Sequence, residues 1–135
     1  MPQKIKSAVV GMGKMGLLHA SILNTFDDVE FIGIAETNKF IVNSFRQIKP
    51  DWKYYHNYSD LINDNELDLI FITTPIFSHS EIMKECIKNN LSFFVEKPAV
   101  ANTSQIDHFS KINTDSLFNA VGYMMRYVPT FSKGK

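Results

Sequence analysis

Along the chain, short apolar runs alternate with stretches whose apolar residues recur every three or four positions. Ile5 to Val10 (IKSAVV) reads as a first strand, and Met15 to Phe26 as a helix with Leu18, Ile22 and Phe26 on one face. Val29 to Ala35 is a second strand. Lys39 to Ile48 is helical, with Phe40, Ile41, Phe45 and Ile48 at helical spacings, and Pro50 ends it. Trp52 to Tyr55 forms a short third strand, and Ser59 to Asn63 a short helix with Ser59 as its cap. Leu67 to Thr73 is almost continuously apolar, as a strand covered on both faces must be. Ser78 to Asn89 pairs Ile82 with Cys86 and Met83 with Ile87 at i, i+4, and Ser78 with Glu81 fits a capping box. Leu91 to Val95 is a fifth strand, Ser104 to Ile112 a helix, and Leu117 to Tyr123 a sixth strand. The alternation calls for an α/β, doubly wound parallel sheet with right-handed crossovers and helices on both faces. After Tyr123 the pattern stops. Residues 1–123 are expected to form one domain, and residues 124–135 to begin a connection to a further one.

The bulk numbers narrow the function. With 135 residues, 44% apolar and 21% charged, the chain can bury a core without staples. Its formal net charge is zero and its lysines are scattered, so no concentrated basic face exists for nucleic acid. No apolar window approaches the roughly 18 residues of a membrane span. Lys14 interrupts the first apolar run, which therefore reads as a strand rather than a leader. A lone cysteine, Cys86, points to a reducing, cytoplasmic setting and to a buried apolar role.

The first chemistry lies between the first strand and its helix. Gly11-Met12-Gly13-Lys14-Met15-Gly16 satisfies G-x-G-x-x-G where that pattern has mechanical meaning. The first glycine permits a tight turn, the second lets a diphosphate approach the backbone, and the third lets helix and strand pack closely. Free N–H groups at the helix start then hold the phosphates. Glu36 stands twenty residues after Gly16, past the second strand, where a carboxylate accepts from ribose hydroxyls and repels a 2′-phosphate. The cofactor expected is NAD; Lys39 could reach a 2′-phosphate, which keeps NADP open. Gly33 is expected to admit a closely packed helix.

Ligands of open parallel sheets bind beyond the carboxyl ends of the strands. Here those ends carry Gly11 to Gly13, Glu36, Thr73-Thr74-Pro75, Glu96-Lys97-Pro98 and Gly122-Tyr123. Lys97 should therefore face the cofactor crevice, with Pro98 fixing the chain behind it. A lysine partly desolvated beside a cationic ring gives up its proton more readily, which suits proton transfer near neutral pH. The alternatives for Lys97 are an ion pair with Glu96 or a solvated loop position. No His, Cys, Asp or Glu grouping has metal spacing. Trp52, Tyr54, Tyr55 and Tyr58 read as a packed satellite cluster, and His56 and His108 as surface residues.

Taken in order, GMGKMGLLHA, the acid in GIAETN, YYHNYSDLI, ITTPIFSH, VEKPAV and GYMMRYVP resemble the N-terminal Rossmann domain of the Gfo/Idh/MocA oxidoreductases, nearly end to end. The resemblance implies a two-domain enzyme using NAD or NADP on sugars, cyclitols or nucleotide sugars, and homo-oligomeric at full length. It implies that Lys97 is catalytic, in proton transfer or substrate orientation, and that Glu96 lies near the nicotinamide ribose. Thr74, Pro75 and His79 would line the cofactor path, and Arg126 and Pro129 would open the substrate domain. His19 also matches a family histidine, and packing or hydrogen bonding is the commoner role for one on a helix. Family members continue for a substrate domain that these 135 residues do not contain. The other reading of the chain is a non-catalytic nucleotide-binding or sensor module that associates with a partner.

Overall fold

The computed structural model describes residues 3–63, 66–112 and 114–124. β1 (Ile5–Val10) lies mid-sheet and buries every residue from Ser7 to Val10. It is flanked by β2 (Val29–Ala35) and β4 (Leu69–Ile72); β3 (Lys53–Tyr55) extends one side, and β5 (Ser92–Val95) with β6 (Asn119–Val121) the other. The order is β3-β2-β1-β4-β5-β6, and every pairing is parallel. The expected doubly wound α/β sheet is what the residues build.

Because successive strand residues face opposite sides, β1 divides its side chains between two cores. Ala8 and Val10 join Ile70, Ile72, Phe93 and Val95 beneath α4 (Ile76–Lys88), which contributes Ile82, Met83 and Cys86. Val9 joins Ile34 beneath α1 (Lys14–Leu23), which contributes Ala20 and Leu23. α2 (Lys39–Ile48) and α3 (Tyr58–Asn63) complete the layers with Val42, Leu61 and Ile62. α5 (Thr103–Ser110) buries no residue fully.

Several local expectations are corrected. The Leu18-Ile22-Phe26 stripe faces outward, its members 47%, 45% and 52% exposed, and α1 ends at Leu23. The inward stripe is Gly16, Ala20 and Leu23. A methyl group at Gly16 would collide with the Gly11 carbonyl oxygen, so small residues set how closely α1 lies on β1, and small residues give little hydropathy signal. Gly33 admits a strand rather than a helix: its added carbon would strike the Lys53 carbonyl of β3. α4 begins at Ile76 behind Pro75 with no side-chain cap. Ser78 donates to the Pro75 carbonyl at 2.9 Å and Glu81 pairs with Lys84, so the capping box does not form. Asn57, not Ser59, supplies the acceptor at the start of α3, taking the Ser59 N–H at 2.9 Å. The aromatic cluster is split by the sheet: Trp52 and Tyr54 pack on the α1–α2 side, Tyr55 and Tyr58 on the other.

Candidate functional site

The carboxyl ends of β1, β2, β4 and β5 bring most of the candidates to one edge. Gly11 has φ +90°, a conformation that favours glycine, and a side chain there would come within 2.9 Å of Thr74. Thr73 holds this turn from behind, its hydroxyl 2.6 Å from the Gly11 carbonyl and 3.1 Å from that of Val10. The Thr73 hydroxyl thus braces the glycine turn. Gly13 precedes α1 in extended backbone, and nothing lies within 4 Å of where its side chain would be. α1 starts with no side-chain cap and no acidic residue in its first turn. Such a helix start presents unfilled N–H groups and a positive dipole end, which fits a diphosphate.

Glu36 is itself held by backbone. One carboxylate oxygen accepts the Met12 N–H at 2.7 Å; the other accepts the Asn38 N–H at 2.8 Å, with the Thr37 hydroxyl at 3.4 Å. Met12 therefore serves by fixing Glu36, and its side chain is buried. A cavity of about 220 Å³ opens beside Glu36 and is walled by Thr37, His56, Tyr58, Thr74, Pro75 and Ile82 among others. The buried Thr74 hydroxyl has no hydrogen-bond partner among the described residues, an orphan donor that a ligand in this cavity would satisfy. His56 and Tyr58 are site residues the sequence reading missed; their position just past β3, at the same sheet edge, was the available signal. Lys14 and Lys39 are exposed.

At the other end, Glu96 is buried and accepts the Lys97 N–H at 3.2 Å. Its second oxygen lies 2.8 Å from Nε2 of His19, whose ring rests on Phe71 and Phe94. Lys97 is exposed, and none of the ion pairs among the described residues includes it. The Glu96 carboxylate is thus bonded to the His19 ring and not to the Lys97 ammonium. The Lys97–Pro98 bond is cis. A cavity of about 240 Å³ lies between Met15, His19, Phe94, Glu96 and Gly122. His79 departs most from expectation. It is 1% exposed, with Nε2 2.8 Å from the Thr74 carbonyl and Nδ1 3.0 Å from the Pro98 carbonyl, so no ring nitrogen is left for a ligand. His108 is exposed on α5. Arg126 and Pro129 lie outside the described residues.

Cys86 plays no part at this edge: burial, reinforced by Glu85, pushes its thiol up to about 12, so it is inert near neutral pH. Among the described residues no helix is long and apolar enough to cross a membrane.

The model of the Gfo/Idh/MocA group, described as "Oxidoreductase family, NAD-binding Rossmann fold", matches residues 5–116. The chain belongs to this family. It is 24% identical over 132 residues to the myo-inositol 2-dehydrogenase of Thermotoga maritima, covering 97% of this chain and 40% of that protein. With the scyllo-inositol 2-dehydrogenase (NAD(+)) of Bacillus subtilis it shares 22% over 137 residues, covering all of this chain and 40% of the relative. The crystal structure of scyllo-inositol dehydrogenase from Lactobacillus casei, with bound NAD(H) and scyllo-inositol, superposes with a TM-score of 0.88 at 18% identity, over 98% of this chain and 40% of that one. The chain thus spans about 40% of the length of these relatives. Within the family, the glycine turn, Glu36 and the Glu96-Lys97-Pro98 corner stand on its NAD-binding Rossmann fold.

Proposed function

We propose that the chain is the cofactor-binding domain of an NAD-dependent oxidoreductase that transfers hydride between nicotinamide and a hydroxyl-bearing carbon of a sugar, cyclitol or nucleotide sugar. Cyclitols are the first class to test, because the inositol dehydrogenases named above act on them. The observation that carries the reading is the open, uncapped start of α1 at Gly13, set between the cavity beside Glu36 and the Glu96-Lys97 corner. In this reading the N–H groups of Gly13, Lys14 and Met15 hold the diphosphate, and Glu36 accepts from the adenosine ribose. Thr74 and Pro75 border the adenosine. Glu96 sits at the nicotinamide ribose, and the exposed Lys97 Nζ orients the substrate hydroxyl and exchanges its proton. The chemistry the cofactor supplies when bound is hydride transfer at its nicotinamide carbon 4.

NAD is preferred to NADP because the Glu36 carboxylate, fixed by two backbone N–H groups, stands where a 2′-phosphate would lie. The setting proposed is cytoplasmic, and the assembly homo-oligomeric in the whole protein. Titration calorimetry with NAD, NADH and NADP tests the reading: binding of NAD and NADH ahead of NADP supports it. Absence of heat at millimolar cofactor, with the fold confirmed by circular dichroism, overturns it.

A further inference from the structure

Lys97 is exposed on a flexible four-carbon stem, and no ion pair among the described residues includes its Nζ, so its placement depends on the backbone of Glu96-Lys97-Pro98. Both neighbours in that tripeptide are held by histidines, and the two histidines come from opposite faces of the sheet.

On one face, His19 of α1 reaches the Glu96 carboxylate at 2.8 Å, and the other oxygen of that carboxylate takes the Lys97 N–H. The ring is seated on Phe71 and Phe94, with centroids 5.2 and 5.0 Å away, so it cannot swing freely. On the other face, His79 of α4 sits 3.0 Å from the Pro98 carbonyl through Nδ1 and 2.8 Å from the Thr74 carbonyl through Nε2. A carbonyl can only accept, so the ring makes both bonds together only as an imidazolium, with an N–H on each nitrogen; a neutral ring, with one N–H, donates to one of the two carbonyls. Each histidine also has a second attachment at a segment assigned above to the cofactor. His19 rides on the helix whose first turn opens at Gly13, and His79 holds the loop that carries the orphan Thr74 hydroxyl.

We propose that His19 and His79 are positioning residues: a two-sided clamp that fixes Lys97 relative to the diphosphate-binding helix start and the adenosine-side loop. The inference rests on the functional reading above for what Lys97 does, but the clamp is testable without cofactor. A histidine kept only for packing would need volume. This pair instead sets three ring nitrogens within hydrogen-bond distance of three oxygens, which belong to the residues on either side of Lys97 and to Thr74.

Amide replacements separate the two roles, because an Asn amide stands in for Nδ1 and a Gln amide for Nε2. In the ¹⁵N-labelled chain, the Lys97 amide reports directly on the tripeptide through its bond to Glu96. His19→Gln and His79→Asn retain the bonds to Glu96 and Pro98, and should leave the Lys97 amide resonance near its native position. His19→Ala and His79→Gln remove them, and should displace that resonance and speed Lys97 amide exchange by about tenfold, the loss of one hydrogen bond. Val42→Ala, buried in α2, controls for general destabilisation: it should lower Tm and leave the Lys97 amide in place. Indistinguishable effects of Asn and Gln at position 79, with both histidine positions following Tm alone, would overturn the clamp. NADH added to the native protein should shift the Lys97 amide. No NADH effect on any amide would sink the functional reading while the cofactor-free comparison still decides the clamp.

Discussion

Alanine at Gly13 and alanine at Gly16 should have opposite consequences. At Gly16 the new methyl group meets the Gly11 carbonyl oxygen and comes within 2.9 Å of the Thr73 hydroxyl, so α1 has to lift from β1. Overpacking of this kind costs about 1–3 kcal/mol, and the upper end applies because the obstacle is backbone. For a chain of this size, about 3 kcal/mol lowers Tm by roughly 10 °C. At Gly13 the methyl group enters open space, and φ −69° is accessible to alanine. The reduced entropy of the unfolded chain stabilises by about 0.4–1 kcal/mol, and the poorer helix start costs a similar amount, so Tm should scarcely move. That open space is, however, the proposed approach of the diphosphate. Losing one charge-assisted bond there costs about 1.5–3 kcal/mol, or roughly 10- to 150-fold in NADH affinity. Differential scanning fluorimetry and NADH fluorescence titration read the two effects separately. A Gly13→Ala protein that melts as early as Gly16→Ala, or that binds NADH as well as the native chain, would refute the reasoning.

Other consequences follow from the same geometry. Glu36→Ala should weaken NAD by about 2–3 kcal/mol, roughly 30- to 150-fold, and NADP far less, because repulsion of the 2′-phosphate disappears with the carboxylate; calorimetry giving equal losses would show that the acid does not face the ribose. Burial raises the Cys86 thiol from 9.0 to about 12, so its contribution is intact below pH 9 and is lost as pH rises toward 12, at about 1.4 kcal/mol per pH unit. Urea unfolding should show that slope in the native chain and its absence in Cys86→Ala. Leu18→Glu, on the outward face of α1, should change stability by less than about 0.5 kcal/mol, whereas Leu23→Ala should cost about 2–5 kcal/mol in the same assay.

How far the site was legible depended on which physical signal each residue left. The glycine turn and Glu36 could be read because backbone freedom, a helix start and a carboxylate must occur in that order at successive strand ends. The strands were legible from apolar runs covered on both faces. The orientation of α1 was not, because Gly16 and Ala20 decide it by being small, while Leu18 and Ile22 advertise a face that stays outside. His79 was legible as a participant but not in its role: sequence gives its spacing from Thr74, and only the folded chain brings Pro98 against its other nitrogen. Met12 and Thr73 likewise hold Glu36 and the Gly11 turn through hydrogen bonds that no residue spacing could show. His56 and Tyr58 were missed although the end of the third strand at Tyr55 was marked, because their residue types next to it read as a surface histidine and a packing tyrosine.

A crystal structure of the chain with NADH is the most direct measurement. It should show the diphosphate on the N–H groups of Gly13 to Met15, adenosine in the cavity beside Glu36, and the nicotinamide in contact with the Glu96-Lys97 corner. A dinucleotide seated elsewhere, or a nicotinamide beyond reach of the Lys97 ammonium, would contradict the account.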